Sequence, residues 1–334
     1  MQKMRKKVEL PISEPIYGTY HYQGSLGAVI YSNPSIRNWY LNEIFILECN
    51  TKFLKGYSSP EISVEGSSWY HCPHLERLFH SLKFAKGYIN PIIRELINNG
   101  YYVGFSGVDD YYLEGKSWYG KRHFNHDGLI FGYDQDEKTY NIFAYDSSWV
   151  YTSFKTSQKA FNMGCISAEK TGESGHVCGI KATDGIIYFD PYIVKDKMVE
   201  YLSLSVKKPS QDNNMVSGIA VHDYIAIYID LLTEGTITYD RIDRRVFRLI
   251  WEHKKLMYER IVTVEKHLLL NHTLSNSYAD ILSESDAIRM LYASHCIKRR
   301  DSILPLIKDK LITLRKKEEC VLDSLVKKME QELR

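Results

Sequence analysis

The sequence lacks long apolar runs and a bias toward charge of one sign. Its longest apolar stretches, such as residues 224–229, are far shorter than the roughly 20 residues of a membrane-spanning helix. Forty-three Lys and Arg residues balance 41 Asp and Glu residues, whereas a dedicated nucleic-acid binder usually carries a strong basic excess. No apolar segment follows the charged first residues, so we expect no signal peptide. Neither a membrane nor a nucleic acid is an expected partner.

Paired cysteines and cofactor motifs are also missing. The six cysteines form no C-x-x-C pair, and without an export signal they are typical of reduced thiols in a cytoplasmic protein. The segment His71-Cys72-Pro73-His74 contains metal-ligating residue types, but no second pair at zinc spacing follows it. The chain contains no P-loop, no G-x-G-x-x-G and no G-x-S-x-G. We therefore expect no metal, no cofactor and no serine-hydrolase elbow.

The first part of the chain is typical of an α+β domain. The composition, 44% hydrophobic and 25% charged residues, is that of a soluble globular protein. Apolar spacing predicts helices over residues 34–49 and 88–98, and short apolar runs predict strands over 101–108, 128–133, 140–145 and 185–189. The polar segment 134–139 between the strands 128–133 and 140–145 predicts a hairpin. This order of helix and then strands favours an α+β fold over a doubly wound parallel one.

The second part of the chain is predicted to be all-helical. From Ile242 to Leu268 the apolar residues recur at steps of three and four, and helical patterns continue over 279–298 and 301–332. Long helices with short connections favour a small antiparallel bundle. The polar, proline-containing stretch 207–214 indicates a linker. We therefore predict an α+β domain over residues 10–205 and a helical bundle over 215–334.

The predicted hairpin brings a histidine and an aspartate together. With a turn centred on residue 136, paired residues have numbers that sum to 272, and His126 and Asp146 satisfy this sum. A carboxylate on one imidazole nitrogen fixes the tautomer and leaves the other nitrogen available as a base. The pair therefore matches two members of a catalytic triad, although a surface histidine meeting a turn aspartate would give the same pattern.

A thiol nucleophile is predicted at Cys72. Pro73 suits the first position of a helix, which would place Cys72 at the helix N-terminus, where the helix dipole stabilises a thiolate. The chain order is then Cys, His, Asp, as in papain-like enzymes. The alternative is a buried structural thiol.

Three strings resemble one known family. They are Ile97-Asn-Asn-Gly-Tyr-Tyr-Val103, Val108-Asp-Asp-Tyr-Tyr-Leu113 and His126-Asp-Gly-Leu-Ile-Phe-Gly-Tyr-Asp134. They are similar to the N-terminal domain of butirosin biosynthesis protein H, in the branch associated with non-ribosomal peptide assembly lines, which includes the amide synthase of closthioamide assembly. The resemblance covers roughly residues 10–205 and implies a papain-like, C39-peptidase-like cysteine-protease-type fold.

This sequence matches the family at two members of the triad and differs from it at the third, the nucleophile. His126 matches the family histidine, and Asp146 matches the acidic residue that ends the next strand. The family begins its first helix with a His-Cys pair, whereas the matching place here has Tyr22 in the position of the cysteine. Either Cys72 or Ser25 then supplies the nucleophile, or the chain is a catalytically silent relative.

The resemblance implies an acyltransferase, an amide synthase that acts in natural-product biosynthesis. The nucleophile would attack a thioester bound to an acyl or peptidyl carrier protein, and a small amine would release the acyl-enzyme as an amide. Gln23 is a candidate oxyanion donor. Two alternatives remain open: a thioesterase or peptidase-like hydrolase with water as the acceptor, and a non-catalytic papain-like binding protein.

Overall fold

The structure, a computed structural model, describes residues 5–56, 58–81, 88–170, 175–203 and 214–333. The chain divides into two compact units, each built from two segments. Unit 1 comprises Met1–Arg37 and Ser67–Ile186, and unit 2 comprises Asn38–Gly66 and Ile187–Arg334. The predicted division into 10–205 and 215–334 therefore differs from the observed one, because segment 38–66 joins the helical unit. Residues 207–213 of the predicted linker lie outside the described residues.

The described strands, in chain order, are β1 (Lys7–Glu9), β2 (Leu47–Asn50), β3 (Glu61–Val64), β4 (Leu75–Ser81), β5 (Tyr102–Asp109), β6 (Asn125–Asp134), β7 (Thr139–Tyr145), β8 (Tyr151–Ser157), β9 (His176–Ala182) and β10 (Met215–Ser217). The described helices are α1 (His21–Tyr31), α2 (Arg37–Glu43), α3 (Ile89–Asn98), α4 (Gln158–Lys170), α5 (Pro191–Ser203), α6 (Val221–Thr233), α7 (Val246–His267), α8 (Thr273–Lys298) and α9 (Leu304–Glu332). The architecture is α+β with a helical C-terminal part, as predicted.

Unit 1 contains an antiparallel sheet. Its strands follow the order β4-β9-β5-β6-β7-β8, and β1 pairs with the end of β6. The predicted hairpin is confirmed as β6–β7. Leu129 lies opposite Phe143 and Ile130 opposite Ile142, in the predicted register. A register shift after Ile130 then changes the pairing toward the turn.

Helices α3 and α4 cover one face of this sheet. Their apolar residues, among them Ile93, Ile97 and Phe161, form one buried core with Phe105 and Ile142 of the sheet. The predicted helix over residues 88–98 is thus confirmed as α3. Its spacing of apolar residues at three and four positions directs one face toward the sheet.

Helix α1 packs closely against the sheet at Gly24. A Cβ atom on Gly24 would lie 2.5 Å from the ring of Tyr151 in β8, so only glycine lets that ring reach the helix. The Tyr151 hydroxyl lies 3.3 Å from the hydroxyl of Ser25 and donates to the backbone oxygen of His21. The sheet therefore fixes the position of the first turn of α1.

Unit 2 combines helices with a small sheet of strand order β10-β2-β3. Helices α7, α8 and α9 confirm the predicted helical pattern, and α9 also packs against α5 and α6. Strand β2 contacts α6 and β3 contacts α7. None of the described helices is long and apolar enough to cross a membrane.

A network of buried polar groups lies inside unit 2. The Lys254 Nζ lies 2.7 Å from Glu318 Oε2, and both side chains are fully buried. The hydroxyl groups of Tyr278 and Tyr201 donate to the same carboxylate at 2.5 Å and 3.2 Å. Burial alone would raise the pKa of Glu318, but the cationic Lys254 and neighbouring histidines hold it at about 2. The Glu318 carboxylate is therefore ionised, and both of its oxygens have hydrogen-bond or ion-pair partners.

Three local predictions are wrong. The residues after Cys72 form the strand β4 instead of a helix. The helix expected over residues 34–49 is the shorter α2 followed by β2, because that segment turns to enter the small sheet. The strand expected over residues 185–189 is irregular, and β9 precedes it.

Candidate active site

Two adjacent aspartates, Asp109 at the end of β5 and Asp110 directly after it, lie beside the start of β6. A bulge between Phe105 and Val108 shifts the register, so that Val108 lies opposite His126. Asp109 and Asp110 come immediately after, and Asp110 opens a single 3₁₀ turn. The backbone N–H of Asp110 donates to the carbonyl of Phe124 at 2.9 Å. This pairing brings the carboxylate of Asp110 next to the imidazole of His126.

His126, Asp110 and Lys116 form a continuous polar array. The Nδ1 of His126 lies 3.2 Å from Asp110 Oδ2, and the Nζ of Lys116 lies 3.5 Å from Asp110 Oδ1. Asp110 and Lys116 are almost completely buried, while the His126 side chain is 23% exposed. Burial lowers the pKa of Lys116, an effect that the Asp110 carboxylate opposes. The histidine is thus the member of the array that solvent or a substrate can reach.

A second histidine, His21, lies against His126 at the first position of α1. The two ring centroids are 4.2 Å apart in an edge-to-face arrangement, and Tyr145 and Tyr151 enclose the His21 ring from other sides. Burial, followed by the proximity of His126 and Lys116, lowers the pKa of His21 well below 6.5. His21 is therefore neutral at neutral pH and adds no charge beside His126.

Asp109 holds the loop that carries the array. Its carboxylate accepts hydrogen bonds from the backbone N–H groups of Tyr111 and Phe124, from the Ser167 hydroxyl and from Nδ1 of His123. Burial would raise the pKa of Asp109, but these hydrogen bonds lower it below 3.8. The ionised Asp109 thus binds the backbone at both ends of the segment between β5 and β6, at Tyr111 and at Phe124.

The predicted partner of His126, Asp146, has a different place. Its Oδ1 accepts hydrogen bonds from the backbone N–H groups of Ser148 and Val150 at 2.8 Å and 2.9 Å. Asp146 thus closes the turn between β7 and β8. The expected His126–Asp146 pair is therefore not formed. Strand β6 also pairs with β5, and that pairing places the carboxylate of Asp110 beside His126.

The structure does not bring Cys72 into this array. Cys72 precedes β4, which is separated from β6 by β9 and β5. Its side chain is fully buried, and burial raises the pKa of the thiol to about 11. No helix begins at Cys72 to stabilise a thiolate, so the reason for choosing it as nucleophile is lost.

The other candidates lie in the first turns of α1. Ser25 is buried, and its hydroxyl faces Tyr151. The Tyr22 ring stacks on Tyr20 with centroids 5.6 Å apart. The amide nitrogen of Gln23 donates to the Ser67 hydroxyl at 2.8 Å, and the Gln23 side chain is completely buried. One of the two N–H donors of the Gln23 amide is therefore engaged inside the protein.

The array has the geometry of a general base. An imidazole that donates its Nδ1–H to a carboxylate keeps Nε2 unprotonated and able to accept a proton. Among the described residues, neither Cys72 nor Ser25 is hydrogen-bonded to His126. Over the same part of the chain, no three His, Cys, Asp or Glu side chains are placed to hold a metal ion.

The sequence analysis missed Asp110, Lys116 and His21. A signal for Asp110 was present, because it lies two residues after the predicted strand 101–108 and 16 residues before His126. Antiparallel pairing of β5 with β6 places such residues side by side. Lys116 and His21 carry no comparable signal, since their positions depend on the loop and on the docking of α1.

We expect Asp110 rather than Asp146 to support the function of His126. Asp110→Asn replaces the anion beside His126 with a neutral amide, so the imidazolium formed during proton transfer loses its counter-charge, and the rate should fall by roughly 10²-fold or more. Asp146→Asn keeps an oxygen that accepts the two backbone N–H bonds and should retain the rate. For the acyl transfer that the family resemblance implies, initial rates of the two folded variants test this; the reverse ranking would favour Asp146 as the partner of His126.

No protein-family model matches this chain, and no curated protein matches it either.

Proposed function

We propose that the chain is an acyltransferase with a papain-like α+β unit, which moves an acyl group from a carrier-bound thioester onto a small amine. The observation that carries this proposal is the partly exposed His126, held through Nδ1 by the buried Asp110. The chain order of α1 before an antiparallel sheet that presents a histidine supports the papain-like fold, and the strings that resemble the butirosin family support the reaction class.

The proposed reaction needs no acyl-enzyme. The amine nitrogen attacks the thioester carbonyl while His126 Nε2 takes a proton from it. As the tetrahedral intermediate collapses, the C–N bond remains, the C–S bond breaks, and the imidazolium returns the proton to the leaving thiolate. The uncapped N-terminus of α1, which begins at His21 beside His126, would favour negative charge on the carbonyl oxygen.

The thiols of the chain support this direct route. Five of the six cysteines are buried, and Cys320 on α9 is exposed. Burial raises the pKa of the buried thiols to about 11 or 12, so little thiolate is present at neutral pH. Among them, Cys165 and Cys178 belong to unit 1 together with Cys72.

Alkylation of the intact protein tests the direct route. The probe reaction combines S-acetyl-N-acetylcysteamine as donor with benzylamine as acceptor, and mass spectrometry measures the amide. After iodoacetamide treatment at pH 7, we expect the label on Cys320 and an unchanged rate of amide formation, because the buried thiols react slowly. Cys320→Ser, treated in the same way, is the matched control.

Each other outcome has a defined meaning. Loss of activity together with labelling of Cys72, or an acetyl group trapped on Cys72, would replace the direct route by a covalent one. Release of thiol with acetate but without amide would identify a hydrolase. Absence of both products with a correctly folded protein would overturn the acyltransferase proposal in favour of a binding role.

A further inference from the structure

An unbroken row of aromatic rings leads away from His126. The Phe124 ring centroid lies 5.0 Å from that of His126, and the Trp118 ring lies 6.4 Å from Phe124. Trp149 continues the row at 6.2 Å from Trp118. The row belongs to two separate segments, the β5–β6 loop and the β7–β8 turn, and begins at the reactive imidazole.

Two rings of this aromatic row, together with a neighbouring valine, are exposed to solvent. Phe124 is 38% exposed, Trp149 54% and its neighbour Val150 55%. Large apolar side chains that stay together on a surface mark places where another apolar group binds. Because Phe124 also touches His126, the apolar group that fits here belongs to the molecule that reacts at His126.

The row is held in place by the backbone of both segments. The backbone N–H of Phe124 is anchored on the Asp109 carboxylate at 3.1 Å. Trp149 adopts a left-handed conformation with φ 61°, and its N–H donates to the carbonyl of Asp146 at 3.1 Å. The Ser117 hydroxyl donates to that same carbonyl at 3.0 Å. One carbonyl therefore ties the two segments together and presents the rings as one surface.

We propose that Phe124, Trp118 and Trp149 bind the apolar acyl chain of the thioester donor. This inference rests on the proposed function and adds the substrate class, a medium-length apolar acyl group instead of a short or charged one. With its carbonyl carbon at His126, a chain would pass over Phe124 and reach the two tryptophans. The Arg122 guanidinium lies over the Trp118 ring, 5.5 Å from its centroid, beside the middle of the row.

A chain-length series tests the proposal. The donors are acetyl, butyryl, hexanoyl and octanoyl thioesters of N-acetylcysteamine, with benzylamine as acceptor and the full chain as enzyme. We expect kcat/KM to rise roughly two- to fourfold per added CH₂, since each methylene leaves water for an apolar surface. Trp149→Ala and Phe124→Ala should reduce the octanoyl-to-acetyl ratio of kcat/KM.

Tyr88→Ala is the matched control. Tyr88 is a 70% exposed aromatic residue that precedes α3, close to the turn end of the β6–β7 hairpin, where Asn90 accepts a hydrogen bond from Tyr140. Its removal should leave the octanoyl-to-acetyl ratio unchanged. Equal losses in this variant and in Trp149→Ala would show a general effect on the protein and overturn the assignment.

The failure of this proposal and that of the proposed function give different results. A wild-type enzyme that forms amides with kcat/KM independent of chain length keeps the acyltransferase function and overturns the acyl-chain surface. If no donor reacts, calorimetric binding of the acetyl and octanoyl thioesters decides: tighter octanoyl binding that is lost in Trp149→Ala supports the surface, and equal binding overturns it.

Discussion

Replacement of His126 by alanine is expected to lower the rate of acyl transfer by about 10²–10⁴-fold, the usual cost of losing a general base. In the proposed reaction the neutral amine loses a proton to the His126 imidazole as it attacks the thioester, and the buried Asp110, 3.2 Å from Nδ1, would orient that imidazole. Alanine removes the proton acceptor and leaves the buried Asp110–Lys116 pair in place. The fold should therefore persist, as a circular dichroism spectrum would show.

The matched control for this variant is His123→Ala. His123 is also bonded to an aspartate through Nδ1, Asp109 at 2.7 Å, but its side chain is 59% exposed and lies outside the proposed array. Steady-state rates with the acetyl donor should fall for His126→Ala, whereas the rate of His123→Ala should stay within a few-fold of that of the unmodified protein. Equal activity of a folded His126→Ala variant would remove His126 from the mechanism.

The largest expected effect on stability is at Glu318. Glu318→Leu leaves the Lys254 ammonium fully buried without its counter-charge and deprives the hydroxyls of Tyr201 and Tyr278 of their acceptor. Breaking a buried pair in this way typically costs about 3–5 kcal/mol. Urea unfolding followed by far-ultraviolet circular dichroism, which reports on the helices of unit 2, measures the loss.

A double variant separates the charge effect from packing. Lys254→Met combined with Glu318→Leu removes both charges, so it should recover most of the stability lost in Glu318→Leu. No recovery would mean that the shape of the side chains matters more than the charge.

The pH dependence follows from the same carboxylate. Because the pKa of Glu318 in the folded chain is about 2 and that of an unfolded glutamate is about 4.3, the unfolded chain binds the proton first. Its stabilising contribution is present above about pH 4.5 and is lost as the pH falls toward 2. The Lys254→Met, Glu318→Leu double variant should lack this part of the acid destabilisation.

Local patterns predicted the regular elements well and their boundaries less well. The periodic apolar residues of α3, α7, α8 and α9 carry strong signals because one face of each helix is buried. Strands β5, β6 and β7 appear as short apolar runs because most of their residues are buried on both faces of the sheet. Segment 38–66 was misassigned, since its membership of unit 2 depends on pairing with β10, more than 150 residues later in the chain. Such long-range pairing leaves no periodicity in the sequence.

For the candidate site, the sequence pattern paired His126 with Asp146, whereas the carboxylate hydrogen-bonded to His126 in the structure is that of Asp110. Both neighbours of β6 offer an aspartate near His126, namely Asp110 from the β5 side and Asp146 from the β7 side. A hairpin is the simpler inference, but the bulge in β5 decides the outcome, because it advances Asp110 toward the imidazole. Cys72 was misplaced because proline suggested a helix start where Cys72 instead leads into an edge strand.

The interleaving of the two units sets the order in which the chain can fold during synthesis. Strands β2 and β3 leave the ribosome early, but their partner β10 and the helices α6 and α7 that contact them come only after residue 214. At 5–20 residues per second, the delay is roughly 10–30 s. Throughout that interval the β2–β3 hairpin has an open edge that can pair with other chains. A fragment ending at residue 205 would keep this open edge permanently, so a soluble piece of unit 1 requires deletion of residues 38–66 as well.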